Sequence, residues 1–367
     1  MRFYYLKGYT YNELKNLIKN ILTKDNSNLN ENFFDYRVDQ VFNWIYKKYE
    51  ENIDNFSNLS KNFREFLKNS FKMNSLEIYD IKFSKYNDSI KFLFKTEDNE
   101  YIESVLMKHP DRYTVCLSTQ VGCNVRCVFC ASGINGVKRN LELSEIIDQF
   151  FLIQKFIYLK ENKRVSNIVY MGMGEPLFNY ENLIKSLEIF THDKAFNISN
   201  RNITVSTSGV VDKIYSLADE KFKVKLAISL HSPFEHKRQK LIPLAKKYTI
   251  QQILKAVEYY FLKTKKRITI EYILLKGITD TPEDAKELVN LLKNYNFKVF
   301  INLIPYNSIG EVYLDSILLE QSDMESINRF YEYVKKYFEV NVRWSLGRDI
   351  NAACGQLRRN ILNTRVN

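Results

Sequence analysis

The stretch CNVRCVFC, residues 123–130, puts three cysteines in a C-x3-C-x2-C spacing on one short segment. Three thiolates on one loop can hold three corners of a 4Fe-4S cluster and leave the fourth iron open to a ligand. A structural zinc site is the alternative, but it is commonly four-coordinate and would need Cys116 or a histidine as the fourth ligand. The spacing favours a cluster held by Cys123, Cys127 and Cys130.

The residues after Cys130 alternate between short apolar runs typical of strands and longer runs with helical spacing. This alternation predicts right-handed crossovers and a parallel sheet. About six strand-helix units are countable, short of the eight in a closed barrel. The predicted fold class is α/β, an open partial (βα)6 barrel. The expected helices span 143–160, 181–190, 250–261, 282–292 and 324–337, and the expected strands span 167–171, 202–207, 223–230, 268–275 and 298–304.

The residues before the cysteines follow two other patterns. Apolar residues from 10 to 72 recur at helical spacing, with Ser57 and Asn58 as candidate caps of a third helix and the polar stretch 24–31 as a loop. Residues 75–120 alternate in short runs typical of β-strands. The predicted domains are a helical accessory domain (1–74), a β extension (75–112), a partial barrel (113–345) and a C-terminal segment (346–367).

Composition limits the class of protein. The chain has 367 residues, of which 45% are hydrophobic, enough for a large buried core. It has no run of eighteen apolar residues and no signal-like apolar segment, so we expect a cytoplasmic protein without membrane spans and, by default, a monomer. Five cysteines, four of them within fifteen positions, are typical of ligand or redox chemistry. The net charge of +11 suits a polyanionic partner, and residues 340–367 carry five arginines against one acid.

Four small or polar clusters follow predicted strands, at the edge where β/α barrels place their chemistry. Two glycines let the backbone approach a ligand, and a carboxylate can hold an ammonium group. Each cluster alone would also fit a tight turn, a helix cap or a buried histidine. Their shared position predicts one ligand site opposite the cysteine loop. The clusters are Gly172-Met173-Gly174-Glu175-Pro176, Ser206-Thr207-Ser208-Gly209, Ser229-Leu230-His231 and Pro305-Tyr306-Asn307.

Four segments together resemble the radical S-adenosylmethionine (SAM) adenine methyltransferases of RNA, the RlmN/Cfr family. They are YTVCLSTQVGC (113–123), GMGEP (172–176), NLIPYN (302–307) and SLGRDINAACGQL (345–357). The resemblance runs from about Tyr36 to Leu357. It implies that the open iron binds SAM and releases a deoxyadenosyl radical. Pro176 and Pro305 are similar to the housekeeping, RlmN-like branch, which implies methylation of carbon 2 of adenine rather than carbon 8.

The resemblance also implies residue roles. Cys354 matches the cysteine that is methylated by one SAM before a second SAM supplies the radical, and Cys116 matches the thiol that resolves the protein-RNA adduct through a disulfide. Glu103 matches the proton acceptor, although Cys116 is also a chemically reasonable acceptor, and the sequence leaves the two open. The matching SAM contacts are Gly174, Glu175, Ser206, Ser229, Leu230, His231 and Asn307.

The implied substrates are an adenine of large-subunit ribosomal RNA and, in many bacteria, the adenine beside the anticodon of some tRNAs. The helical domain and the arginine-rich tail would hold RNA phosphates, and an electron donor such as flavodoxin or ferredoxin would be needed. Two other readings compete with this one. One is a non-catalytic RNA-binding module with a structural metal site, and the other is a radical SAM enzyme that acts on a peptide or small metabolite.

Overall fold

The first part of the chain is helical. The computed structural model describes residues 4–22 and 31–358, so most of the predicted loop 24–31 and the tail residues Arg359 and Arg365 lie outside the described residues. Two short strands, β1 (Tyr4–Tyr5) and β2 (Phe71–Lys72), pair in parallel and join the two ends of this region. Its helices are α1 (Tyr11–Leu22), α2 (Glu31–Phe42) and α3 (Lys61–Ser70).

Three antiparallel strands connect this region to the barrel. They are β3 (Leu76–Phe83), β4 (Ser89–Thr96) and β5 (Tyr101–Lys108). Because β5 pairs antiparallel with β6 (Tyr113–Cys116), the extension is continuous with the main sheet. The strand expected to end near Gln120 ends instead at Cys116. Residues Gln120–Gly122 form β7 and pair with β8 (Val137–Asn140), so the three cysteines lie on the loop between β7 and β8.

The remaining chain alternates strands and helices. Its helices are α4 (Leu143–Glu161), α5 (Tyr180–Thr191), α6 (Val211–Asp219), α7 (Glu235–Leu241), α8 (Ile250–Thr264), α9 (Pro282–Lys293) and α10 (Met324–Val334). Its strands are β9 (Asn167–Tyr170), β10 (Ile203–Thr207), β11 (Lys225–Ser229), β12 (Ile268–Leu274), β13 (Val299–Pro305), β14 (Tyr313–Leu314), β15 (Ile317–Leu318) and β16 (Glu339–Val342). Within the described part, none of the helices is long and apolar enough to cross a membrane.

The main sheet has ten strands in the order β16-β13-β12-β11-β10-β9-β6-β5-β4-β3. The seven strands from β16 to β6 run parallel, so six crossovers connect them. The sheet is open, with β16 and β3 as its two edges in the described ranges. The predicted α/β partial barrel with an N-terminal helical region and connecting strands is therefore confirmed. The short elements α6, α7 and β16 were not predicted, because each offers too few residues for a clear period.

Side-chain caps fix where several helices begin. The side chain of Thr281 accepts a hydrogen bond from the N–H of Asp284, and α9 begins at Pro282, the first residue of the predicted helix. For α3 the prediction was wrong, because Ser60, rather than Ser57 or Asn58, accepts from the N–H of Phe63. The reason is that Ser57 and Asn58 lie in a turn closed by the hydrogen bond from the N–H of Leu59 to the carbonyl of Phe56, so the helical backbone begins only at Lys61.

Alternation along the parallel strands gives the partial barrel two different faces. One face packs against the helices and is apolar, with fully buried side chains at Ile168, Ile203, Leu226, Ile228, Ile270 and Ile301. The other face, here called the lumen face, lines the inside of the barrel. Near the amino ends of the strands its side chains are mostly polar: Thr114, Asn167, Thr204, Thr269, Asn302 and Asn341.

Candidate active site

Local contacts shape the cysteine loop. The N–H of Cys130 donates to the carbonyl of Cys127 at 3.1 Å, and the N–H of Val128 donates to the carbonyl of Leu241 at the end of α7. Gly122 precedes the loop with φ of 82°, and a Cβ there would lie 1.9 Å from the carbonyl oxygen of Gly136. Only glycine therefore allows the turn from β7 into the loop.

The three thiols line one cavity of about 160 Å³, here called the inner cavity, together with Glu175, His231 and Cys354. Burial raises the pKa of each thiol, to about 12 for Cys123. Among residues 4–22 and 31–358, no three His, Cys, Asp or Glu side chains are close enough to hold a single metal ion. Three thiols facing one cavity at the carboxyl edge of the sheet fit a cluster with an open iron.

Glu175 is a buried carboxylate that faces the inner cavity. It accepts hydrogen bonds from the N–H groups of Leu177 at 3.2 Å and Ser208 at 2.8 Å. Burial is the main cause that raises its pKa, and in the described part of the chain no cation pairs with it. A ligand ammonium group would supply the missing positive charge. The site therefore fits the amino end of a ligand such as SAM.

The two glycines before Glu175 are needed by the protein itself. A Cβ on Gly172 would lie 2.7 Å from the carbonyl oxygen of Leu117, and one on Gly174 would lie 2.7 Å from the side chain of Gln120. Gly174 also has φ of 103°. Both glycines line the inner cavity. The two glycines therefore allow close packing of the segment that contains Leu117 and Gln120, in addition to the close approach of a ligand that the sequence predicts.

His231 and Arg238 organise the opposite wall. Nδ1 of His231 accepts the N–H of Ile273 at 3.0 Å, and burial lowers the pKa of this histidine to about 3, so it is neutral. The Arg238 guanidinium is fully buried and donates to the carbonyls of Leu230 and Ser208, at 3.1 and 2.6 Å. It ties together the loops after β10 and β11. Sequence analysis missed Arg238, because EHKRQK has the composition of an exposed helix.

The C-terminal segment lies against the cysteine loop. The carbonyl of Gly355 accepts the N–H of Ala131 at 2.7 Å, and the carbonyl of Leu357 accepts the hydroxyl of Ser132 at 2.8 Å. These bonds bring Cys354 to the wall of the inner cavity. Residues distant in sequence are thereby joined at one site.

Asn307 fixes Cys354 from the other side. Its amide nitrogen donates to the carbonyl of Cys354 at 3.2 Å and to the hydroxyl of Ser345 at 2.9 Å. Its amide oxygen is buried and has no hydrogen-bond partner among the described residues. Because a buried unpaired oxygen is costly, it is a ready acceptor for a ligand in the inner cavity.

Cys354 also lines a second, wider space of about 920 Å³, here called the outer cleft, with Cys116, Arg343 and Glu271. Burial, and then Cys354, raise the pKa of Cys116 to about 12, while Arg343 acts in the opposite direction. The pKa of Arg343 is raised, and its electrostatic interaction with Cys354 is the largest cause. The Arg343 guanidinium also lies 3.8 Å from the Glu271 carboxylate. Arg343, grouped with the RNA-binding tail on sequence, thus lies within electrostatic reach of both thiols.

Comparisons with known proteins agree with this geometry. The sequence profile of the radical SAM superfamily matches residues 117–292, and the profile described as the ribosomal RNA large subunit methyltransferase N-terminal domain matches residues 6–73. A protein of Thermotoga sp. (strain RQ2) named "Probable dual-specificity RNA methyltransferase RlmN" is 47% identical over 88% of this chain and 91% of its own length. The chain belongs to the RlmN family of radical SAM RNA methyltransferases.

Two further relatives support the assignment to the RlmN family. A protein of the same name from Clostridium novyi (strain NT) is 44% identical over 89% of this chain and 92% of its own. The crystal structure of a radical SAM methyltransferase from Sphaerobacter thermophilus superposes with a TM-score of 0.88 at 36% identity, covering 97% of this chain and 99% of that one. The match spans both the helical region and the barrel.

Most of the SAM contacts that the RlmN resemblance implies come together. Leu230 is the exception, because its side chain is fully buried and only its carbonyl acts nearby, as an acceptor for Arg238. The assignment of these residues to SAM stays a prediction. The inner cavity is lined by Gly174, Glu175, Ser206, Ser229, His231 and Asn307.

Glu103 occupies a different position from these residues. Its neighbour on the same face of β5, Val105, pairs with Cys116 on β6, so Glu103 lies on the lumen face. Its buried carboxylate pairs with Lys91 at 2.9 Å and accepts the N–H of Arg358 at 2.8 Å. Glu103 therefore holds the C-terminal segment, and its RlmN role as proton acceptor stays a prediction.

Proposed function

We propose that this enzyme methylates carbon 2 of adenine in large-subunit ribosomal RNA and in tRNA next to the anticodon, through a methyl-cysteine intermediate and two SAM molecules per turnover. One observation carries the proposal: Cys354 lies on the wall shared by the inner cavity and the outer cleft. The sulfur of Cys354 can therefore receive a methyl group from a ligand in the inner cavity and deliver it to a substrate in the outer cleft. The dual-specificity name of the Thermotoga relative supports both RNA substrates.

The cofactors would occupy the inner cavity. Cys123, Cys127 and Cys130 would hold one 4Fe-4S cluster, which supplies the electron that cleaves SAM. Glu175 would bind the amino group of SAM, because its carboxylate is buried and makes no ion pair with a cation of the described residues. The free amide oxygen of Asn307 would accept a hydrogen bond from the same ligand.

A methyl-cysteine intermediate avoids direct transfer of the methyl group from SAM to the adenine ring. Carbon 2 of adenine lies between two electronegative nitrogens and is not nucleophilic, so it cannot attack the methyl group of SAM directly. The sulfur of Cys354 would attack that methyl group and release S-adenosylhomocysteine, and the Arg343 guanidinium lies within electrostatic reach of this sulfur. After the carbon bond forms and the ring proton leaves, Cys116 would lose its proton and attack the sulfur of Cys354. The bond from that sulfur to the methylene carbon would break, and the carbon would take up a proton, which leaves a disulfide and free methylated RNA.

Glu103 is the better candidate for removing the ring proton. Burial raises the pKa of Cys116 to about 12, so its thiol stays protonated at neutral pH and is a poor base. Glu103 lies on the same sheet face and pairs with the cation Lys91. We therefore assign the removal of the ring proton to Glu103. A flavodoxin or ferredoxin would supply the electron, and the enzyme would act as a monomer in the cytoplasm.

Anaerobically reconstituted enzyme, given an anticodon stem-loop and a ribosomal RNA fragment, tests the proposal. Mass spectrometry of the digested RNA should find 2-methyladenosine in both, and Cys354→Ala should abolish it. Cys116→Ala should leave RNA covalently attached to the protein, because the adduct is not resolved.

Two results would contradict this proposal. Methylation at carbon 8 would overturn the assigned position, and full activity in Cys354→Ala would overturn the cysteine intermediate. The control is Cys123→Ala, which should lose the absorbance of the cluster, whereas Cys354→Ala should keep it. The comparison separates loss of cofactor from loss of the methyl carrier.

A further inference from the structure

The outer cleft extends beyond the two thiols, through the lumen of the partial barrel to its opposite end. Cys116 is the last residue of β6, and Glu271 pairs with Ser229, the last residue of β11, whereas other residues of the same cleft lie at or before the amino ends of β6, β10, β11 and β12. Five of the latter are cations, which we call the basic mouth: Arg112, Arg201, Lys225, Lys266 and Arg267.

The cations of the basic mouth repel one another. The pKa of Lys225 is lowered by burial and then by Arg267, Arg112 and Lys266, so these groups lie within electrostatic reach. Two acids partly compensate them, since Arg112 pairs with Asp111 at 2.9 Å and Arg267 pairs with Glu339. Among the described residues that line the cleft, Glu271 is the one acid, and it lies at the far end. A cluster of cations that is only partly compensated suits a polyanion.

The length of the lumen matches a single nucleotide. From Lys225 to Ser229 the chain makes four strand steps, or about 13 Å at 3.3 Å per residue. An extruded nucleotide with its phosphate held by long basic side chains spans such a depth and would bring its base to the thiols. The hydroxyl and amide groups of Thr204, Thr269 and Asn302 face this path and suit the edges of a base and the ribose hydroxyls.

The helical domain borders the same end of the barrel. Lys47 donates to the carbonyl of Asp193 at 2.8 Å, and Lys194 pairs with Asp39 at 2.6 Å. Asp193 and Lys194 belong to the connection from α5 to β10, which also carries Arg201. The connection that carries Arg201 of the basic mouth thus also contacts the helical domain.

We propose that the basic mouth binds the phosphates of the substrate RNA, so that the target adenosine enters the partial barrel from the amino ends of its strands and reaches Cys354 through the lumen. The inference rests on the proposed function for the identity of the RNA. It adds the direction of entry and the residues that hold the backbone next to the extruded nucleotide.

The first test compares two double variants with the same change of net charge. Lys225→Gln/Arg267→Gln removes two cations of the basic mouth, whereas Lys255→Gln/Lys286→Gln removes two exposed lysines of α8 and α9. Affinity for an anticodon stem-loop is measured by fluorescence anisotropy at several salt concentrations. The mouth variant should bind ~10-fold or more weakly, with a salt slope smaller by about 1.5, since each phosphate contact contributes roughly 0.7–0.9. Equal affinities of the two variants would overturn the proposal.

A second test uses the wild-type holoenzyme and needs no substitution. Bound stem-loop should protect Lys225 and Lys266 from chemical acetylation, while Lys255 and Lys286 stay reactive. Reactive Lys225 and Lys266 under saturating RNA would contradict the basic mouth. Protection of both without any methyl transfer to RNA would instead support the mouth and overturn the proposed reaction, so the two failures are distinguishable.

Discussion

Arg238 and Arg343 show how the setting of one residue decides its role. Nε and Nη2 of Arg238 donate to backbone carbonyls, which fixes the wall of the inner cavity. Arg343 keeps an ion pair with Glu271 and lies near two thiols, so its charge acts on reactive groups. In the sequence both are simply basic residues in polar surroundings. Their roles follow from burial and from the neighbours that folding supplies.

Arg343→Gln should slow the methylation of Cys354 by ~10- to 100-fold, because the guanidinium lies within electrostatic reach of the attacking sulfur and a tenfold change corresponds to ~1.4 kcal/mol of lost interaction. Intact-protein mass measured over time with SAM gives the rate. Arg343→Lys keeps the charge and should be far faster, and equal rates for both variants at every pH would refute this role.

Glu103→Gln should accumulate the protein-RNA adduct and lower product release by ~100-fold, because a general base contributes about 10²–10⁴ in rate. Gel analysis of labelled RNA under denaturing conditions measures the adduct. Lys91→Gln is the matched control, since it breaks the same ion pair and keeps the carboxylate. If Lys91→Gln accumulates as much adduct, Glu103 acts through the anchoring of the C-terminal segment rather than as the proton acceptor.

Among the elements, the long helices and buried strands were predicted within a few residues, whereas the short pieces around the site were not. The strands β10 and β13 carry clear apolar alternation, and α4 has nineteen residues, so each offers several periods. The pair β7 and β8 has three and four residues and was missed. Its hydrogen bonds depend on a partner segment across the cysteine loop, which local sequence does not reveal.

Gly122→Ala should prevent formation of the cluster. Both the positive φ and the contact with the carbonyl of Gly136 oppose a side chain at the end of β7. Gly277→Ala is the matched control, because Gly277 has φ of 69° with open space around its Cβ position. The control should lose only ~1 kcal/mol of folding stability. Iron content and cluster absorbance measure the outcome, and a fully loaded Gly122→Ala protein would contradict the role of this turn.

At the scale of the whole molecule, a buried ion pair joins the helical region to the barrel. Lys7 and Asp148 on α4 are both fully buried, with 2.6 Å between Nζ and the carboxylate oxygen. The other oxygen of Asp148 accepts the N–H and the hydroxyl of Ser75, where the β extension begins. One carboxylate thus holds together the helical region, the extension and the barrel.

Lys7→Met should destabilise the protein by ~3–5 kcal/mol, because it leaves the charge of Asp148 buried without a cation. Urea unfolding followed by circular dichroism measures the loss. Lys68→Met is the control, since Lys68 makes partly exposed pairs with Asp54 and Glu65, and its midpoint should barely move. Similar shifts for the two variants would show that the Lys7 pair is not a structural link.

The sequence by itself determined the class of fold and the family, and it predicted the cluster cysteines, because periodicity and motif spacing are local properties of the chain. Only the tertiary structure decided that Cys354 lies beside the cysteine loop, that Arg343 faces both thiols and that the lumen ends in the basic mouth. These relations join residues far apart in the chain. They depend on the register of parallel strands and on the closing contacts of the C-terminal segment, which no short stretch of sequence encodes.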